Sequence, residues 1–254
     1  MAKFGIITGA STGIGAHLAK LAAADGYELL LVADTPFVDP SAGLAGAETL
    51  EVDLSTIEGV DRLLDAAGGR QIDLLCANAG HGLGGPFLDH DVAAWRHVID
   101  TNVTGTVYLL QKVLRTMVAQ GQGKVLVTGS IAGWMPGSFA AVYNGSKAFI
   151  DNFTAAIRDE LKEQEGITLT TLEPGPVETE FFHRAGMDDT KVGQSEKSDP
   201  ADVAKDGWDA LMAGKDTIIS GWRNKLQVAA AGVLPQSVPA AMHRGMAEPG
   251  SGKD

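Results

Sequence analysis

Tyr143 and Lys147 stand four residues apart in Tyr143-Asn144-Gly145-Ser146-Lys147, the spacing that puts two side chains on one face of a helix. A neighbouring ammonium favours phenolate and draws a tyrosine pKa down from about 10. The pair therefore suits Tyr143 to general acid–base work, which is worth typically 10²–10⁴-fold in rate. Alone the pattern is weak. With three Tyr and twelve Lys in the chain, some Tyr-x-x-x-Lys arises by chance with a probability of about 0.14. Ser130, in Val127-Thr128-Gly129-Ser130, adds a hydroxyl at the end of an apolar run, the edge of a parallel sheet where ligands sit. Asn102 and Thr179 are further polar candidates, with helix packing and N-capping as their plain structural readings.

A second constellation lies at the start of the chain. Thr8-Gly9-Ala10-Ser11-Thr12-Gly13-Ile14-Gly15 follows the first apolar run and opens a helix. Such a turn lets backbone N–H groups and the helix dipole meet a pyrophosphate, because no Cβ blocks the approach. Its spacing is G-x-x-x-G-x-G, not G-x-G-x-x-G, and a purely structural tight turn is the alternative. Asp34 ends the second apolar run about 20 residues on, where a carboxylate accepts hydrogen bonds from ribose hydroxyls. Asp53 ends the third and is placed to bind an adenine amino group; both acids also read as ordinary strand-end turn residues. A 2′-phosphate at 4 Å from Asp34 meets a repulsion of up to about 4 kcal/mol at an effective dielectric near 20. No neighbour in sequence offers a cation to offset it, so NAD is expected over NADP.

These groups need a scaffold that brings them to one edge. Phe4–Thr8, Glu28–Ala33, Thr49–Val52, Ile72–Ala77, Lys124–Thr128, Thr168–Leu172 and Thr217–Ile219 read as strands, mostly continuous apolar runs of the kind buried between two layers of helices. The pattern predicts a single-domain α/β fold with a doubly wound parallel sheet. Clear helices span Gly13–Asp25, Val92–Gln120 and Tyr143–Gln164, the last with Gly166 as its C-cap. Two prolines in Asp34–Gly43 make the crossover helix there short or absent. The Gly-rich end is expected to be mobile from about residue 247.

Composition excludes several function classes. The 254 residues are 44% hydrophobic and 20% charged, with a net charge of −12, so the surface repels nucleic acid and anionic lipid. The longest apolar runs fall far short of the roughly 20 residues that cross a bilayer. The solitary Cys76 forms no internal disulfide and no signal-like N-terminus is visible, so a cytoplasmic setting is expected. The six histidines form no metal-ligand spacing, and no metal site is expected; His81 alone draws notice, because it follows a strand end.

As a set, Thr8-Gly9-x-x-x-Gly13-x-Gly15, Asn78-Ala79-Gly80, Asn102, Ser130, Tyr143-x-x-x-Lys147 and Pro174-Gly175-x-Val177-x-Thr179 resemble, in order and spacing, the short-chain dehydrogenase/reductase family over about residues 3 to 221. The resemblance implies a Rossmann-type fold and hydride transfer to or from a nicotinamide. It implies that Tyr143 exchanges a proton with the substrate oxygen, that Ser130 holds that oxygen, and that Lys147 lowers the phenol pKa and binds the nicotinamide ribose. Asn102 would complete a water relay to Lys147. Thr179 and the Val177 backbone would orient the carboxamide, with Asn78, Ala79 and Gly80 beside the ribose. Ser11, Thr12 and Ile14 in the turn, Leu54 beside Asp53, and Pro174 and Gly175 complete the implied cofactor contacts. Two departures stand out: the Pro36–Gly46 stretch curtails the family's helix, and Asp34 occupies a position where many members carry arginine for NADP.

The segment from Glu178 to about residue 199, with Phe181, Phe182 and Met187, has the composition of a lid. Gly133, Trp134, Met135, Phe139 and His81 suggest an apolar substrate wall, with core packing the alternative for Met135 and Phe139. The substrate expected is an alcohol or ketone with an apolar substituent. Val103, Val107, Leu110, Phe149, Phe153 and Ile157 put apolar residues on more than one helix face, and the resemblance implies a homotetramer through helices 92–120 and 143–164. A non-enzymatic NAD sensor and an NAD-retaining epimerase are the other readings.

Overall fold

The computed structural model describes residues 2–37, 44 and 46–252. Strands β1 (Lys3–Thr8), β2 (Tyr27–Ala33), β3 (Glu48–Glu51), β4 (Ile72–Ala77), β5 (Gly123–Thr128), β6 (Ile167–Glu173) and β7 (Thr217–Ile219) form one parallel sheet in the order β3-β2-β1-β4-β5-β6-β7. This is the doubly wound, Rossmann-type architecture, and each strand falls within two residues of its expected place.

Alternation along the strands builds two cores, because successive side chains point to opposite faces. Phe4, Ile6, Leu30, Val32, Leu75, Val125 and Val127 pack on one side. Helices α2 (Ile57–Ala66), α4 (Thr106–Gln120) and α5 (Ala141–Glu160) cover it through Leu63, Leu110, Met117 and Ile150. Ile7, Leu29, Leu31, Leu74, Cys76 and Leu126 pack on the other, under α1 (Gly13–Ala24) and α8 (Pro200–Met212), which contribute Leu18, Ala22, Trp208 and Leu211. Each fully buried Leu or Ile contributes about 1.5–3 kcal/mol. Strand order reverses at β1 and β4, which opens a crevice at their carboxyl ends.

Three expectations need correction. Val92–Gln120 is helical throughout but not α-helical throughout: α3 (Val92–Ile99) and α4 are joined by a π-helical turn, Asp100–Gly105. Gly105 lies so close to the Leu54 carbonyl that a Cβ would overlap it, and the wider turn accommodates that approach. Helix α5 ends at Glu160, with the Leu161 N–H bonded to Ile157 O; Gly166 caps nothing and its carbonyl instead accepts from Gly123 N–H. The chain end is tied down rather than free over 250–252. Gly250 N–H donates to Asp189 Oδ2 at 2.8 Å, Gly252 N–H to Asp189 O at 2.9 Å, and Lys191 N–H to Ser251 Oγ at 3.0 Å.

Asp189 and Lys191 belong to the segment expected as a lid, which contains short helices α6 (Phe181–Arg184) and α7 (Lys191–Gln194) and is followed by α8; α9 (Trp222–Ala231) and α10 (Ser237–Ala247) complete the fold. Between β2 and β3 the described residues contain no helix; residues 38–43 and 45 of the proline-bearing stretch lie outside them. No helix among the described residues is long and apolar enough to cross a membrane.

Candidate active site

Gly9 and Gly13 carry the first constellation. Both are left-handed, at φ +63° and +56°, a conformation that costs other L-residues about 1–2 kcal/mol. Thr12 precedes α1 without a side-chain cap, so the first N–H groups of the helix stay free for a ligand. The turn is braced from below by Asn78. Its Nδ2 donates to Thr8 O at 3.2 Å and Gly9 O at 3.3 Å, and its Oδ1 accepts from Thr128 Oγ1 at 3.0 Å. Thr8 Oγ1 accepts the N–H groups of Asn78 and Ala79. One side chain thereby ties the ends of β1, β4 and β5 together.

At the other end Tyr143 lies in the first turn of α5, with the Phe181 ring 5.1 Å from its own. Lys147, one turn on, is buried and its Nζ donates to Thr128 O at 2.7 Å. Ser130 Oγ accepts from Ala132 N–H at 3.1 Å and reaches Pro174 O at 3.4 Å. Asn102, on the π-helical turn, accepts His81 N–H at 2.7 Å and donates to His81 O and Ser146 Oγ, both at 2.9 Å.

A cavity of about 300 Å³ joins the two ends. Gly9, Ser11, Thr12, Gly13, Ile14, Asp34, Asp53, Leu54, Asn78, Ala79, Gly80, Ser130, Tyr143, Lys147, Pro174, Gly175, Val177 and Thr179 all line it. Gly15 and Asn102 do not. Gly15 sits beneath the turn, and Asn102 stands behind Gly80, where an added Cβ would find Asn102 Oδ1 and Lys147 Nζ each at 3.4 Å. The two ends meet at the rim, since a Cβ on Gly13 would come within 2.7 Å of Thr179 Cγ2. Asp53 lies beyond the end of β3, not on it, and both its oxygens already accept from Ser55, N–H and Oγ, at 2.8 Å.

The electrostatics reverse one expectation. The Tyr143 phenol is not made acidic: burial pushes it up to about 12, the Ser130 hydroxyl opposes, and Asp151 adds to the rise. Burial also lowers the Lys147 ammonium below the usual lysine range, against the pull of Asp151. The Lys147 ammonium donates to the Thr128 carbonyl, and burial of Tyr143 disfavours its phenolate.

Asp151, a turn beyond Lys147, did not stand out in the sequence. Its carboxyl is pressed against Gly129 and Gly133 beneath Ser130, and among the described residues neither oxygen has a hydrogen-bond partner. Burial first and the facing Glu173 second raise it above the usual carboxylate range. Only its place on the Tyr143–Lys147 face could have flagged it.

The substrate end differs from expectation in detail. Trp134 turns away, its Nε1 donating to Glu173 Oε2 at 2.8 Å, and neither it nor Gly133 lines the cavity. Met135 does, with Phe181, Phe182, Met187 and Met246. Phe139 packs on the Phe182–Met187 cluster in a left-handed conformation, φ +63°, an uncommon strain for a bulky residue. His81 lines the cavity with its ring 4.6 Å from that of His97, and burial lowers its pKa, with His97 adding.

A cation missed by sequence reading stands at the nucleotide end. Arg184 of α6 places Nη1 3.9 Å from Asp34 Oδ1, so the acid is offset after all, from 150 residues away. No local pattern could have paired them.

The chain matches the short chain dehydrogenase family model over residues 3–190. It is 32% identical over 212 residues to an uncharacterised oxidoreductase of Staphylococcus saprophyticus, covering 80% of this chain and 88% of that protein. It is 36% identical over 186 residues to bovine retinol dehydrogenase 8, covering 69% of this chain and 59% of the other. Among solved structures, the short-chain dehydrogenase from Sphingobium yanoikuyae in complex with NADPH superposes with a TM-score of 0.79 at 26% identity, covering 92% of this chain and 97% of that one. With the glycine turn, Ser130, Tyr143 and Lys147 gathered at the carboxyl edge of a seven-stranded parallel sheet, the chain belongs to the short-chain dehydrogenase/reductase family of oxidoreductases.

Proposed function

We propose that this oxidoreductase is an NAD(H)-dependent carbonyl reductase, reversible as an alcohol dehydrogenase, for small substrates carrying an apolar substituent. The observation that carries the reading is the single cavity shared by the glycine turn, Asp34, Ser130, Tyr143 and Lys147. The residues suit a dinucleotide: Gly9 and Gly13 leave a cradle that a Cβ would strain, Asp34 can accept from ribose hydroxyls, and Thr179, against Gly13, lines the cavity with Val177. When bound there, the nicotinamide supplies the hydride.

The chain's part is position and proton transfer. Tyr143, held as a phenol, donates its proton to the carbonyl oxygen as hydride arrives at carbon. Ser130 holds that oxygen by hydrogen bonding. Lys147 and Asn102 return a proton to Tyr143 through water. Met135, Phe181, Phe182, Met187 and Met246 form the apolar wall. Retinol dehydrogenase 8 among the relatives supports an alcohol and carbonyl pair as the substrate class.

A turnover screen of NADH and NADPH over ketones and alcohols, run beside Tyr143→Phe, tests this. The expected result is turnover on apolar ketones, with NADH preferred, lost by about 10²–10⁴-fold in the variant while nucleotide binding persists. Binding without turnover across the panel refutes the enzyme and leaves a nucleotide sensor. We also propose assembly as a homotetramer through α3–α4 and α5, to be checked by sedimentation; a mass near that of one 26.4 kDa chain at micromolar concentration refutes it.

A further inference from the structure

We infer that nucleotide choice is set by two side chains on opposite walls, Asp34 on β2's carboxyl side and Arg184 on α6, with Arg184 the group that would receive a 2′-phosphate. The inference rests on the dinucleotide reading above. A carboxylate at the position of Asp34 is by itself a rule against NADP. Here that rule is weakened, because the Arg184 guanidinium stands 3.9 Å from the carboxylate and lines the same cavity. A guanidinium is permanently charged and presents a planar fork that matches phosphate oxygens two at a time.

The guanidinium is delivered from a fixed base. Arg184 N–H bonds Glu180 O at 2.9 Å within α6, and the next carbonyl, Ala185 O, accepts from Gly84 N–H at 2.8 Å. Phe182, Ala185 and Met187 on either side are buried with Ala247 of α10, and Gly250 and Gly252 beyond it hold the segment down through Asp189. Arg184 itself remains about one-third exposed, so its side chain can swing between Asp34 and an incoming phosphate. Among the described residues lining the cavity, the only other Arg or Lys is Lys147, which is engaged by Thr128 O at the far end. Asp34 therefore gives the preference for NAD, and Arg184 limits its size.

Fluorescence titration of NADH and NADPH against the intact protein, Arg184→Gln, Arg184→Lys, Asp34→Asn and the double variant tests this without relying on turnover. Arg184→Gln is expected to weaken NADPH about tenfold or more and NADH by less than about threefold, the loss of one charge-assisted phosphate contact. Arg184→Lys should recover most of the NADPH affinity. Asp34→Asn should tighten NADPH by about tenfold, and that gain should shrink in the double variant, because the two groups share one ligand. An NADH to NADPH affinity ratio unchanged within about twofold in Arg184→Gln, in protein that melts like the parent, overturns the inference while leaving the cofactor reading intact. Parent protein that binds neither nucleotide overturns both.

Discussion

Gly15→Ala isolates what the glycine turn demands of its backbone. Gly15 is buried inside α1, where alanine is ordinarily the better helix former by about 1 kcal/mol. Here a methyl would overlap the Gly9 carbonyl oxygen and come within 2.7 Å of Asn78 Nδ2. Neither can retreat cheaply, since Asn78 Nδ2 is bonded to Thr8 O and Gly9 O, and Gly9 is held in its left-handed turn. Overpacking of this kind costs about 1–3 kcal/mol, and a strained Asn78 bond forfeits about 0.5–1.5 kcal/mol more. After the helix gain, a net loss of about 0.5–3.5 kcal/mol is expected, or roughly 1–14 °C in Tm for a chain of this size, together with loss of nucleotide binding. Gly145→Ala is the matched control. It lies in α5 between Tyr143 and Lys147, exposed, with nothing within 4 Å of its added Cβ, so it should stabilise by up to about 1 kcal/mol. Calorimetric melts of both variants, with NADH titrations, give the comparison. A Gly15→Ala protein that melts at or above the parent and binds NADH normally would refute the close approach of Gly15 to Gly9.

Tyr143, raised to about 12 by burial, stays protonated below that value, so its own ionisation should add no pH dependence to carbonyl reduction between about pH 6 and 9, while alcohol oxidation, which needs the phenolate, should climb about tenfold per pH unit. An oxidation profile that levels off below about pH 8 would show that Lys147 acidifies the phenol. Asn102→Ala strips the partners of His81 N–H, His81 O and Ser146 Oγ and should destabilise by about 2–4 kcal/mol in denaturant melts, the cost of leaving buried groups unpaired. Truncation after Glu248 removes the bonds that Gly250, Ser251 and Gly252 make to Asp189 and Lys191. It should raise the substrate KM more than it lowers kcat and speed amide exchange over residues 188–194; unchanged exchange there refutes the tether.

The parts legible in sequence are those that repeat locally. Leu29-Leu30-Leu31-Val32 announces a strand buried on both faces, and its residues do divide between the two cores, Leu29 and Leu31 to one and Leu30 and Val32 to the other. The Gly9–Gly15 turn and the Tyr143–Lys147 spacing are local too. What escaped is set by approach between distant segments. The π-helical turn at Asp100–Gly105 is where Gly105 meets the Leu54 carbonyl. The partnership of Asp34 with Arg184 depends on α6 crossing to β2. The tying down of residues 250–252 depends on where Asp189 happens to lie, which Gly-rich composition cannot convey.

The Tyr143–Lys147 pair shows why finding the right residues does not fix their chemistry. Spacing gives adjacency, and adjacency argues for an acidic phenol. The direction of the shift is set here by burial, with Asp151 adding and the Ser130 hydroxyl opposing, while the Lys147 ammonium is turned to the Thr128 carbonyl. The same enclosure keeps Asp151 and Glu173 above the usual carboxylate range beneath the Ser130 turn. Burial thus favours the neutral form of each group, raising Tyr143, Asp151 and Glu173 and lowering Lys147, in a site where one phenol, one ammonium and two carboxyls share an enclosed edge. Parallel strands make this possible, since β1, β4, β5 and β6 run the same way and deliver Gly9, Asn78, Ser130 and Pro174 to one edge. The proton donor and the nucleotide cradle are then braced by the same few strand ends, so a change at the Asn78 brace should disturb binding and proton transfer together.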